Sequence, residues 1–139
     1  MKAAGRRVIQ FGLLVGLVCV LEGCSIEKTD GNKVADLDFT IVEEKEVPDE
    51  FMTQIQEKKD ADFKLTYEIE GNLYIARGYG EQETGGYSIA VKDVYLTKNA
   101  VCIATTLIGP KETDDVVKAP SYPYIVVKVA SQNKNVLFE

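Results

Sequence analysis

From Asp62 onward the chain alternates apolar and polar residues with period two. "DFKLTYEIEGNLYIA" sets Phe63, Leu65, Tyr67 and Ile69 on one face and Lys64, Thr66, Glu68 and Glu70 on the other, the pattern of a strand with one buried face. Gly71 and Asn72 follow as a two-residue turn that accepts positive φ, and Leu73 to Arg77 returns, so a hairpin is expected. Three further strands are expected in "YSIAVKDVYL", "AVCIATTLI" and "YPYIVVKVA". In the first of them Tyr87, Ile89 and Val91 share a face, whereas Val94 and Leu96 continue on the opposite one. That change of phase at Lys92 and Asp93 predicts a bulge. "LDFTIVEE" places Leu37, Phe39 and Ile41 on one side of another strand, and "VLFE" offers a short strand at an edge.

One segment has a different period. "VPDEFMTQIQEKK" puts Pro48 at the first helical position, Asp49 and Glu50 near the positive end and Lys58 and Lys59 near the negative end, which suits a helix macrodipole. Phe51, Met52 and Ile55 form one apolar stripe, so one face packs inward. A helix beside five or six antiparallel strands predicts an α+β domain, a curved antiparallel sheet with the helix packed on it. A β-sandwich with an incidental helix is the alternative.

The amino end is of another kind. Lys2, Arg6 and Arg7 precede an apolar run from Val8 to Leu21 that is short for a membrane-spanning helix and has the form of a secretory signal. It closes with "LEGC", which resembles the lipobox of bacterial lipoproteins at Leu21, Gly23 and Cys24 and departs from it at Glu22. The resemblance implies cleavage before Cys24 and a lipid on its sulfur, and with it an extracytoplasmic protein anchored in the cell membrane or outer envelope. The expected organisation is a signal peptide over 1–23, the lipidated cysteine with a flexible polar tether over 24–36, and one folded domain over 37–139.

Composition narrows the chemistry. Cleavage would remove Lys2, Arg6, Arg7 and Glu22 and take the net charge from −6 to −8, leaving Arg77 as the last arginine. A chain so acidic lacks the basic face that nucleic-acid binding needs. With Cys19 removed and Cys24 lipidated, Cys102 has no partner for a disulfide; within "AVCIATTLI" it reads as a small buried residue. There is no histidine, so the usual triads and zinc sites are not formed. Glu43, Glu44, Glu46, Asp114 and Asp115 stand in solvent-like runs, and neither "TDDVV" nor "TDGNK" has the alternating oxygen ligands of a calcium loop. No enzyme, metal or cofactor is expected, although spacing alone does not rule out a pair of sugar-cleaving carboxylates.

The remaining motif is "GYGEQETGGYSI", residues 78–89. Gly80 and Gly85 have P-loop spacing, yet Gly86 and Tyr87 stand where Lys and Ser or Thr are needed, and Glu81 and Glu83 would repel phosphate. One reading of Gly85 and Gly86 is a tight turn with positive φ and nothing more. A second starts from Gly80, Thr84, Gly85, Gly86, Tyr87 and Ile89, together with Pro120, Pro123, Tyr124 and the strand Val126 to Val129. Over about residues 72–130 these resemble the carboxy-terminal domain of the PrcB family of protease complex subunits. The resemblance implies a non-catalytic envelope lipoprotein that binds and stabilises a protease, or another envelope protein as partner.

"ETGGYS" is also similar to a loop of chagasin-type cysteine protease inhibitors, with Thr84, Gly86 and Tyr87 matching in type. The candidate contact residues are therefore Thr84, Gly85, Gly86 and Tyr87, joined by Tyr122 and Tyr124 on what Pro120 and Pro123 suggest is an edge strand. On that strand Tyr124 and Val126 share a face with Lys128 and are expected toward solvent, open to strand addition by a partner; packing against the helix is the alternative. A small-ligand or peptide-binding lipoprotein and a purely structural envelope module remain the other function classes.

Overall fold

The computed structural model describes residues 32–139. The charged start, the apolar run and Cys24 lie outside the described residues. The fold below is that of the compact unit Ala35–Glu139. Among the described residues no helix is long and apolar enough to cross a membrane.

The elements run β1 (Ala35–Asp36), β2 (Thr40–Ile41), a 3-10 turn (Glu44–Glu46), α1 (Asp49–Lys58), β3 (Asp62–Ile69), β4 (Asn72–Tyr79), β5 (Ser88–Leu96), β6 (Ala100–Ile108), β7 (Tyr124–Ala130) and β8 (Asn135–Phe138). The strands form two sheets of four, one in the order β1-β5-β6-β8 and the other in the order β2-β7-β4-β3. The expected single curved sheet with a helix on it is therefore incorrect, and the architecture is a sandwich.

The reason lies in β4 and β7, which are apolar on both faces. Leu73, Ile75, Val127 and Val129 meet Val94, Val101 and Ile103 of the other sheet in one core. The alternate residues Ala76 and Val126 turn the other way and join Phe63 beneath Phe51, Ile55 and Val47. Helix α1 thus forms a third layer outside the second sheet. Phe51 and Ile55 are fully buried there, each contributing roughly 1.5–3 kcal/mol of apolar transfer free energy. Phe51 stacks on Tyr67 with centroids 5.4 Å apart, and the Tyr67 hydroxyl donates to Glu50 Oε1 at 2.6 Å. Pro48 precedes the helix as its extended N-cap (φ −55, ψ 141) instead of occupying its first turn, while Asp49, Glu50 and Lys58 sit at the expected ends.

The local patterns of the sequence are kept in part. β3 and β4 pair as a hairpin, but its turn is Glu70–Gly71, with φ 51 and 82, and Ile69 pairs with Asn72. Positive φ at both central residues matches the twist of the flanking strands. The register between β5 and β6 slips between Val91 and Asp93, so Lys92 is the bulged residue. β8 does form an edge, and it lies parallel to β6.

The segment after Asp36 does not form one strand with Leu37, Phe39 and Ile41 on a common side. β1 pairs with β5, Leu37 packs on the sandwich core, and the chain then crosses to the other sheet, where β2 pairs with β7. Phe39 and Ile41 are left exposed. This crossing strap closes one flank of the sandwich.

Candidate partner-binding site

The β4–β5 connection, Gly80–Tyr87, is held by the long β6–β7 connection. Gln82 and Ser121 exchange backbone hydrogen bonds of 2.8 and 3.0 Å. Ser121 Oγ donates to Thr84 O at 2.7 Å, and Gly85 N donates to Val117 O at 2.9 Å. Thr84 Oγ1 donates to Gly85 O at 2.9 Å. Four hydrogen bonds between the two connections and one within the first make this a built surface, not a loop free to sample many conformations.

Of the paired glycines, Gly86 takes the positive φ, 89, and Gly85 does not; Gly80 is the other loop glycine in that region, at 75. Gly86 is also crowded. A side chain there would meet Val116 Cγ1 at 2.6 Å and Pro110 Cβ at 3.1 Å. Tyr87 lays its ring beside Gly109, where an added Cβ would lie 3.2 Å from its Cε2, so Tyr87 is half-buried. Around it Val117 is 71% exposed and Pro110 and Val116 are half-buried, which makes a small contiguous apolar surface on a chain otherwise rich in charge. The signal for it in the sequence was the pair Val116–Val117 inside the charged run "KETDDVVK".

Tyr122 and Tyr124 belong to a different layer. β7 is an inner strand between β2 and β4, and Tyr124 and Val126 face α1. The expectation of a solvent-facing edge is corrected: Val126 is buried, and Tyr124 lies against Phe63, with centroids 6.3 Å apart. The Tyr124 hydroxyl donates to Glu44 Oε2 at 2.9 Å. Burial first, and Glu44 second, push its pKa up to about 12. Tyr122 carries Lys59 Nζ 5.0 Å above its ring and points its hydroxyl at Glu81 Oε1, 3.4 Å away. The neighbouring Glu81 carboxylate, more than burial, raises the Tyr122 pKa. The six candidates thus divide into Thr84–Tyr87 at the end of the sandwich and Tyr122 and Tyr124 beside the helix.

Between the sheets at the same end lies a residue that the sequence reading did not single out as functional. Arg77 holds Asp62 Oδ1 at 2.6 Å, donates to the carbonyls of Phe63 and Gly78, and places its guanidinium 4.1 Å from the centroid of Tyr79. Tyr79 in turn shares a 2.7 Å hydrogen bond with Thr105 Oγ1 of the other sheet. Arg77 therefore braces the end of the sandwich, which suits a guanidinium with several fixed donors. Among the described residues no group of three or more His, Cys, Asp or Glu could hold a metal ion.

These features define a β-sandwich module with one outer helix and a rigid apolar loop surface at one end. Residues 73–130, which run from β4 through β7 and include both connections, match the family model described as PrcB C-terminal. The match points to an association with a protease complex. No curated protein and no solved structure matches the chain.

Proposed function

We propose that this protein is a non-catalytic subunit that binds and stabilises a surface or secreted protease, and that a lipid on Cys24 anchors it to the cell envelope. The observation that carries the reading is the Gly85–Gly86–Tyr87 surface. It lies inside the matched family segment, is fixed by hydrogen bonds to the β6–β7 connection, and places Val117 at 71% exposure beside a half-buried tyrosine. A rigid aromatic with apolar neighbours costs little entropy to bury against a partner. The inhibitor reading has less support, because Tyr87 lies down on Gly109 instead of projecting as a wedge.

The test is crosslinking and co-purification from envelopes with the native chain and with Val117→Asp and Tyr87→Ala variants of confirmed fold. A protease captured by the native chain, lost with Val117→Asp and degraded faster in cells lacking the protein is the expected result. Equal capture by all three forms removes the loop surface from the contact. Capture of no protease by the native chain removes the function. For the anchor, incorporation of an alkynyl fatty acid is expected in the native chain and absent in Cys24→Ala; labelling unchanged by that substitution would overturn the lipid site.

A further inference from the structure

β1 covers only part of the strand it pairs with. It meets β5 at Tyr95 and Leu96, the Leu37 N–H reaches Val94 O at 3.0 Å, and the chain then leaves for the other sheet. Among the described residues no strand lies beside Ser88–Val91 on that side.

The pairing of β5 with β6 decides which peptide groups are left over. Thr105 N donates to Glu139 O and Glu139 N donates to Ile103 O, so the odd-numbered residues of β6 turn their peptide groups toward β8. In an antiparallel ladder the even ones then turn toward β5. Thr106 and Ile108 meet Ala90 and Ser88, which leaves the N–H and C=O groups of Ile89 and Val91 directed outward.

The outer edge of β3 is guarded. By the same alternation the free side of β3 belongs to Asp62, Lys64, Thr66 and Glu68, which are exposed and mostly charged, a common defence against unwanted pairing. The β5 edge carries no charge from Tyr87 to Val91, and the bulge at Lys92 ends it. A groove of about 490 Å³ opens beside its far end, lined among others by Leu37, Asp38, Phe39, Val91 and Lys92. Asp38 in its lining offers a carboxylate to a cation.

We propose that β5 accepts an extended segment of a partner protein as an added antiparallel strand, in line with β1. The segment carries small or β-branched residues opposite Ile89 and Val91 and a basic residue at its amino-terminal end, beside Asp38. Main-chain hydrogen bonds supply affinity in this mode and the flanking charge supplies direction. The inference rests on the reading that the loop end of the sandwich holds a partner, since Tyr87 both closes the loop and begins this edge.

The probe is the acetylated, amidated hexapeptide Lys-Val-Thr-Val-Thr-Val, titrated into the isotopically labelled full chain in detergent while amide shifts and hydrogen exchange are followed. Slowed exchange at Ile89 and Val91 is expected. Val91→Pro removes one outward N–H without touching the ladder to β6, whereas Val91→Ala loses the side chain alone. Proline is expected to weaken binding about tenfold relative to alanine, the effect of one lost hydrogen bond that leaves its partner unpaired. Should the proline variant not fold, a charge swap decides: Asp38→Lys must weaken the lysine peptide and strengthen its glutamate counterpart.

Unmoved amides at Ile89 and Val91 would overturn the proposal, as would equal binding by the proline and alanine variants. So would protection of both amides in the free chain, which would mean that its own amino-terminal residues or a second copy already take the edge. A protease captured equally by native and Val91→Pro chains would remove the strand contact and leave the protease reading intact. Capture of none would remove that reading, and the peptide titration would still decide the edge.

Discussion

The ring of Phe63 lies on the backbone of Gly78, its cross-strand partner on the helix side of the sheet. A methyl group at 78 would fall within the ring. Gly78→Ala is therefore expected to cost about 2 kcal/mol or more in chemical denaturation, in the range of overpacked cores. Combining it with Phe63→Leu should recover part of the loss, because the two residues share one space. Additive losses in the double variant would show that the contact is not the cause.

Gly85 and Gly86 are expected to respond differently although they are adjacent. Gly86→Ala forces a side chain into positive φ and onto Val116, and should cost about 1–3 kcal/mol. An added Cβ at Gly85 would lie 3.5 Å from Val117 Cβ, an ordinary contact, so Gly85→Ala should stay within about 0.5 kcal/mol. Thermal melts of the two variants check the order, and a reversed order would mean that the turn is misassigned.

Stability should fall as the pH rises above about 10. Tyr124 titrates at about 12 in the folded chain, chiefly through burial, and near 10 when unfolded. Tyr95 is shifted further in the same direction, first by its 2.7 Å hydrogen bond to Glu139 and then by burial. A raised acid pKa means that the folded state keeps protons which the unfolded state has released. The contribution is thus complete below about pH 10 and lost on the way up to about 12. Tyr124→Phe should flatten part of that decline in denaturation curves taken from pH 8 to 12; an unchanged slope would count against the Tyr124 shift.

Cys102 should be inert in the native chain. It is buried beside Tyr95, and burial raises its thiol pKa even though the Tyr95 hydrogen bond acts the other way. Alkylation at pH 8 followed by peptide mapping should leave Cys102 unlabelled until denaturant is added. Rapid native labelling would place it at an accessible site.

What was legible in the sequence was what local pattern determines. The hairpin, the bulge at Lys92, the amphipathic stripe of Phe51 and Ile55 and the apolar setting of Cys102 all follow from spacing within one element. The second sheet did not, because "LYIA" and "YIVVKVA" offer apolar residues to both sides, and period two cannot say whether the second side meets a helix, a sheet or water. The same ambiguity placed Tyr124 on a solvent face. The loop contacts of Thr84 and Gly85 with Ser121 and Val117 join segments far apart in the chain, so no local signal marks them. Within the candidate site the sequence located Gly86 and Tyr87; their apolar surroundings at Pro110, Val116 and Val117 required the fold.

The crossing strap also bears on the order in which the domain forms and loosens. Its short strands pair with residues far along the chain, Ala35 with Leu96 and Thr40 with Lys128, so a large loop-closure cost precedes few hydrogen bonds. The β3–β4 hairpin has no such cost. The strap, which Leu37 and the 2.8 Å hydrogen bond from Val42 N to Val126 O tie down, is thus expected to assemble last and to open first. Opening it would bare the outer edges of β5 and β7 together.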